Sequence, residues 1–229
     1  LFVENRFTID GVKMLTIKNT EVFGLERAIK ASGNPMTIGE INTVSTMTAD
    51  QYYDCDETKD SIRAKKLGST KSGEGHDNFL KGIQVTFDIM YPQYWTPESQ
   101  RYHWWNILSS QSKMHRLTTM GKDEKFEGMF NKYVDERIVN LSKSFINEYN
   151  SLYENGKTPD KETQYVAFMR CISNLPMGFE MWETVQCSYL QLKTIYFQRR
   201  NHKLKEDWGV FCDWCETLPM FKELVGIEK

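Results

Sequence analysis

Residues 75–116, GHDNFLKGIQVTFDIMYPQYWTPESQRYHWWNILSSQSKMHR, decide how this chain is built. Ile83, Val85, Phe87 and Ile89 alternate with Gln84, Thr86, Asp88 and Met90, and a period of two predicts a strand with one face against a core. A corner of proline, tyrosine and tryptophan follows, and an aromatic, basic helix carrying Gln100-Arg101-Tyr102-His103 is expected after it. Then comes Ser109-Ser110-Gln111-Ser112-Lys113-Met114-His115-Arg116. Arg101, His103, Lys113, His115 and Arg116 thus put five basic or titratable groups within 16 residues. Arginine forks match phosphate and carboxylate geometry, and serine hydroxyls complete such a shell. The segment is a candidate pocket for an anionic, planar ligand such as a nucleotide or flavin, with Tyr102, Trp104 and Trp105 flanking its ring. The competing reading is an amphipathic helix whose aromatics are core and whose charges are solvated.

Working outward, residues 12–18 (VKMLTIK) predict a short strand, and Asn19-Thr20-Glu21 a helix start for EVFGLERAIKAS, stopped by Gly33-Asn34-Pro35. Residues 37–74 are polar and mixed, and KKLGSTKSGEG at their end is expected to be a loop. Apolar residues at three- and four-residue steps predict helix over 123–155, broken by Asn155-Gly156-Lys157-Thr158-Pro159. A second helix is expected over 161–173. Leu175-Pro176 interrupts it, helical spacing resumes to about residue 201, and a last helix covers about 206–217. Many helices and few strands make the chain α+β, a helix-rich single domain over 1–229 with a small, mainly antiparallel sheet.

Composition narrows the function. A net charge of −2, from 29 basic and 31 acidic residues, argues against bulk electrostatic binding of nucleic acid. No apolar run approaches the roughly 18–20 residues that span a bilayer, so no membrane role is expected. Five scattered cysteines fit a reducing cytoplasm better than a disulfide framework. The start lacks the order of a secretory signal, and it opens on Leu rather than Met, which leaves an upstream piece open. Cys212 and Cys215 have redox or zinc spacing, but with Trp208 and Phe211 they share one helix face. No second ligand pair lies nearby, so both are expected in the core and no metal site is expected.

Two further places merit a role. His76 follows Gly73 and Gly75 at the mouth of the alternating strand, as a ligand contact or simply a loop histidine. Arg199 and His202 fall three apart, with Glu206 four further on, so one helix face would present a cation, an imidazole and a carboxylate. The plainer reading is an exposed helix end where basic residues suit the helix dipole. No glycine-rich phosphate loop, GxSxG elbow or HExxH motif is present.

In order, these segments resemble the flavin-dependent thymidylate synthases. That family has a Gly-His before a strand like the one at 83–89, a proline turn, an Arg-His-Arg motif and a Glu-x-Ser-x-Arg-Tyr segment. Here Arg101-Tyr102-His103 stands where the family has Arg-His-Arg, and residues 109–114 stand at its nucleotide-binding segment. GLERAIKASGNPM resembles its early helix, so Arg27 and Ser32 occupy comparable places, and residues 197–202 resemble its late Arg/His helix. The chain also resembles phage and Firmicute proteins loosely grouped with these synthases.

The resemblance implies a homotetramer with FAD between subunits, dUMP stacked on the flavin, and methylene-tetrahydrofolate and NADPH as co-substrates for methylation at C5. It implies that His76, Arg101, His103 and His202 contact FAD, that Ser112 and Lys113 hold the nucleotide phosphate, and that Arg199 meets the pyrimidine ring or its phosphate as the catalytic residue. Departures stand beside it: Tyr102 replaces the middle histidine, His103 the second arginine, Ser109 the acid, Gln111 the serine and Lys113 the arginine. Lysine keeps the charge and loses the bidentate fork. The alternative is therefore a non-catalytic nucleotide-binding or interaction protein that kept the fold and lost flavin chemistry.

Overall fold

The computed structural model describes residues 8, 9, 12, 13, 15–102, 105–123 and 125–227. Two short strands, β1 (Thr8–Ile9) and β2 (Val12–Lys13), form a hairpin before the main sheet. The sheet has four strands, β3 (Thr16–Phe23), β4 (Gln84–Pro92), β5 (Asn106–Ser110) and β6 (Glu180–Ser188), in the order β3-β4-β6-β5, all antiparallel. The helices are α1 (Leu25–Ala31), α2 (Ala49–Tyr53), α3 (Lys59–Gly68), α4 (Thr96–Ser99), α5 (Lys113–Met120), α6 (Glu136–Ser151), α7 (Lys161–Ser173), α8 (Tyr189–Arg199), α9 (Val210–Glu216) and α10 (Phe221–Val225). The fold is helix-rich α+β with a small antiparallel sheet, as the sequence pattern predicts.

The alternation in β4 has the expected consequence. Val85, Phe87, Ile89 and Tyr91 are buried, while Gln84, Thr86 and Asp88 on the other face are partly exposed. Val185 and Cys187 of β6 and Ile17 of β3 extend the buried face. Across it lie α8, α9 and α10, and Phe87 packs on Trp214 (ring centroids 4.4 Å), Trp105 (5.8 Å) and Phe211 (6.4 Å). Trp208, Phe211, Cys212 and Cys215 all face inward, so the Cys-x-x-Cys pair is core. A second apolar cluster joins α5, α6 and α7 through Leu117, Ile146 and Cys171, with Phe126 and Phe179.

Several expected boundaries move. The helix expected to start at Asn19 begins instead at Leu25, and β3 runs through Asn19-Thr20-Glu21. Asn19 adopts φ 52 at a register shift between Lys18 and Glu21, and its amide donates to Asp88 Oδ2 at 2.6 Å. Asparagine tolerates this left-handed turn, so a bulge takes up the polar run that resembles a helix cap. Residues 65–68 are the last turn of α3 rather than loop, because Thr58 and Ser61 form a capping box at its start. Before α6 the described residues of the expected helix form only the short 3₁₀ turn Glu127–Met129, and α6 starts at Glu136, where the Asp135 side chain accepts from the Arg137 N–H.

The largest correction is β6, which lies where helical spacing was expected to resume. It pairs with β4 along its full length, from Gln84↔Ser188 to Pro92↔Glu180. A central strand needs a ladder on both sides, or its backbone groups are buried unpaired. The helix expected around residue 101 is likewise only the single turn α4, because residues 106–110 serve as β5 on β6. The last helix, α10, was not foreseen; it follows Met220 at φ 55 and packs so closely on α3 that a Cβ on Gly68 would meet Leu224 O at 2.2 Å.

Loop 69–77 is held by a buried lysine. Lys193 of α8 is 2 % exposed, and its ammonium donates to Gly68 O (2.8 Å), Thr70 O (2.6 Å) and Asp77 Oδ2 (2.7 Å). All three of its N–H donors are matched. Lys193→Met would strand the Asp77 carboxylate, and a loss of about 3–5 kcal/mol is expected in urea unfolding. Adding Asp77→Leu in the same chain should recover part of that loss.

Candidate functional site

At the C-terminal end of β4 the chain turns through Gln93 and Tyr94 into α4, and the turn is fixed by backbone bonds from Gln93 N to Phe179 O and from Tyr94 N to Met177 O. Glu98, on α4, is the hub of this corner. Its Oε2 accepts from Arg199 Nη1 (3.0 Å) and from Trp208 Nε1 (2.9 Å), and His202 Nε2 lies 3.5 Å away. Arg199 also donates from Nε to the Tyr102 hydroxyl (2.8 Å), which in turn donates to Gln198 Oε1 (3.0 Å). The guanidinium stacks on Trp208 (4.8 Å to centroid) and Tyr102 (5.5 Å). Leu204 N–H donates to His202 Nδ1 at 3.2 Å, so a neutral ring carries its proton on Nε2, toward Glu98.

Arg199 and His202 are therefore brought together, but around Glu98 rather than Glu206. Glu206 faces Lys132 Nζ (3.0 Å) and the Tyr133 hydroxyl (2.7 Å) instead. Spacing along one helix cannot reveal a partner 101 residues away, so Glu98 escapes a reading of the sequence.

A second group lies where β5 gives way to α5. Ser112 caps α5, its hydroxyl accepting from His115 N–H and lying 2.8 Å from His115 Nδ1. Lys113 donates to Gln93 Oε1 at 2.8 Å, a neutral partner, and the first turn of α5 holds no acid. Beside it, Lys18, Asp88, Trp182, Glu183, Thr184 and residues 109–111 line an open recess of about 290 Å³. Lys18 Nζ sits 4.2 Å above the Trp182 ring. Among the described residues, none of Lys18, Arg101, Lys113 and Arg116 has a carboxylate partner within salt-bridge distance.

The other candidates are more scattered. Arg101 is exposed in the turn after α4, and His103, with Trp104, lies outside the described residues. His76 is exposed in the loop between Gly75 (φ 84) and a short 3₁₀ helix at Asn78–Gly82, at the opposite end of β4 from Glu98. Nine strand residues separate those ends by about 27–30 Å. Of the early helix, Arg27 is exposed and Ser32 is buried, donating to Ile29 O and accepting from Arg63 Nε. Among the described residues no three His, Cys, Asp or Glu side chains gather as a metal site. No described helix is long and apolar enough to cross a membrane.

No protein-family model matches the chain, and no curated protein matches it in sequence. Solved structures do. The flavin-dependent thymidylate synthase ThyX from Helicobacter pylori, complexed with FAD and dUMP, superposes with a TM-score of 0.60 at 13% identity, over 90% of this chain and 96% of that one. The fold is that of the flavin-dependent thymidylate synthases. A second Helicobacter pylori ThyX structure, also with FAD and dUMP, gives 0.59 at 14% identity over 93% and 96%. A UMP/dUMP methylase, PolB from Streptomyces cacaoi bound with 5-Br dUMP, gives 0.54 at 13% over 93% and 95%. Similarity at this level of identity is a similarity of architecture.

The donor set at the α5 corner suits an anion. Arg199 does not suit a phosphate contact, because Glu98 already neutralises it and Tyr102 occupies its Nε. Next to this hub, the Asp207 carboxyl accepts from the Tyr94 hydroxyl (3.0 Å). Burial pushes its pKa up to about 6, Tyr94 opposes the rise, and Glu206 and Glu98 add to it. The folded state thus binds this proton more tightly than the unfolded chain does. Its contribution to stability is complete below about pH 4 and is lost as pH rises through 6. Asp207→Asn should therefore raise stability at pH 7.5 by about 2–3 kcal/mol and leave it unchanged near pH 4, read as thermal midpoints across that range.

Proposed function

We propose that this chain binds a pyrimidine deoxynucleotide of the dUMP type at the corner between β5 and α5, as a flavin-dependent thymidylate synthase-like protein. The observation that carries the reading is Lys113 at the start of α5, held by a neutral amide oxygen and without a carboxylate partner among the described residues, on a fold whose solved examples include structures complexed with FAD and dUMP. Lys113 and the Ser112 hydroxyl would take the phosphate, Gln93 holding the lysine in place. Arg101, His103 and His202 would meet the flavin. His76 sits too far along β4 to join them within one chain, so it would act across a subunit boundary in a homotetramer. When bound, FAD supplies the redox chemistry and the chain supplies orientation and charge. NADPH and methylene-tetrahydrofolate would complete methylation at C5. Held by Glu98, Arg199 would face the ring as a fixed hydrogen-bonding and stacking surface rather than as a phosphate clamp.

One observation favours binding without turnover. The cation assigned to catalysis is already neutralised by Glu98, as it would be in a protein that kept the fold for recognition alone. Five free thiols suit a cytoplasmic setting for either form, and we take residues 1–229 as a single domain.

Calorimetric titration of dUMP in the presence of FAD tests the binding reading. Lys113→Ala should weaken dUMP by about 10- to 100-fold, the worth of a charge-assisted hydrogen bond, while Lys113→Arg should hold affinity. Absence of any dUMP binding by the unaltered chain would sink it. Visible absorption of the purified protein with added FAD, and rescue of a thymidine-requiring host, separate turnover from recognition. A chain that binds dUMP, stays colourless and fails to rescue is the non-catalytic form.

A further inference from the structure

The open recess beside α5 suits the neutral part of a nucleotide better than its phosphate. Asp88 and Glu183 line it together with Lys18, so a second anion gains little there. Both acids are already engaged. Asp88 accepts from the Thr184 hydroxyl on Oδ1 and from the Asn19 amide on Oδ2, each at 2.6 Å. Glu183 pairs with Ile89 of the buried row, and its carboxyl is drawn to the Tyr91 hydroxyl and the Trp105 indole. What the recess offers a ligand is therefore donors: the Lys18 ammonium, the Ser109 and Ser110 hydroxyls, and one side-chain amide.

That amide belongs to Gln111, half-buried just past the end of β5. Its backbone N–H donates to Trp182 O at 2.9 Å, and its side-chain Oε1 accepts from the Trp182 N–H at 3.1 Å. A backbone N–H can only donate, so the oxygen is the end turned to β6 and the two hydrogens of Nε2 are left over. No described residue accepts them. Two bonds to one partner thus fix the direction of the amide without using its nitrogen.

We infer that Gln111 reads the C4 position of a pyrimidine base lodged in this recess, its Nε2 donating to a C4 carbonyl oxygen. The inference rests on the nucleotide reading above, with the phosphate at Lys113, two residues further along the chain. Uracil carries an acceptor at C4, whereas cytosine carries an amino donor. A donor amide bonds the first and opposes the second, so the site takes uracil nucleotides over cytosine nucleotides. The pinned oxygen makes the choice rigid. To accept from a cytosine amino group the amide would have to turn over, and the Trp182 N–H would then meet an N–H instead of an oxygen.

Calorimetric titrations with FAD present, at about pH 8 where nucleotide phosphates are fully ionised, test the assignment. The unaltered protein should bind dUMP about 10-fold more tightly than dCMP, and about 10-fold more tightly than the dUMP analogue that lacks the C4 oxygen. Gln111→Glu keeps one oxygen for the Trp182 N–H and presents the other as an acceptor. The ratio of dUMP to dCMP affinity should therefore fall by about 10-fold or more. Gln111→Leu should bring the three ligands to within about twofold of one another. A purely structural role at the end of the β5–β6 ladder would weaken every nucleotide alike and leave the ratio unmoved, as Lys113→Ala should. An unchanged ratio in Gln111→Glu, or equal binding of dUMP and its analogue by the unaltered protein, overturns the assignment and leaves the nucleotide site standing. If the unaltered protein binds none of the three, the nucleotide reading falls and takes this inference with it.

Discussion

The packing of the buried row of β4 against the tryptophans on either side of it is the constraint on which the rest of this structure depends. Phe87 meets Trp105, Phe211 and Trp214, and Trp95 meets Trp105 and Trp208, so two distant parts of the chain, 87–105 and 208–214, share one aromatic cluster. Each such ring pair contributes about 0.5–1.5 kcal/mol beyond its buried area. More consequential is what the rings carry with them. Trp95 leads into α4 and so places Glu98, Trp208 brings the segment after α8, and Trp105 starts β5. The polar corner stands where it does because its three strands of chain are riveted together from below.

Charge is distributed unevenly over that corner. At the hub, one oxygen of the Glu98 carboxylate meets a guanidinium, an indole N–H and an imidazole, which fixes Arg199 in direction. Around the recess and the start of α5 the cations meet neutral partners: Lys113 an amide oxygen, Lys18 an indole face. Asp88 and Glu183 share the recess with Lys18, whereas the first turn of α5, where Lys113 sits, holds no acid. The corner thus has two halves, one in which Glu98 neutralises the arginine, the other an open recess of mixed charge beside the start of α5.

How much of this was legible in the sequence follows from the range of each interaction. β4 and α7 were readable because their patterns are local: an unbroken alternation in one case, and in the other a helix capped by Asp160 and closed before Leu175-Pro176. β6 was not, since Met181, Trp182, Val185 and Tyr189 mimic helical steps and only the need of β4 for a second ladder makes them a strand. The basic segment takes a shape that the sequence did not announce. Its described basic groups do not lie on one long helix but are split between the turn after α4 and the start of α5, with β5 between them. Arg199 and His202 were paired correctly through their spacing, whereas Glu98 carries no local signal at all.

That split explains how the fold can persist while the motif residues change. In a single long helix, replacing a motif arginine by lysine at position 113 would merely shorten the reach of one side chain. Here Lys113 is held by Gln93 from the turn after β4, so a neighbouring element supplies the orientation that a guanidinium fork would otherwise provide for itself. Tyr102 is likewise no passive substitute for a histidine. Its hydroxyl accepts from Arg199 and donates to Gln198, a pair of roles that a neutral imidazole could fill only by dividing them between two ring nitrogens. The departures from the family's motif are thus absorbed by partners from other elements.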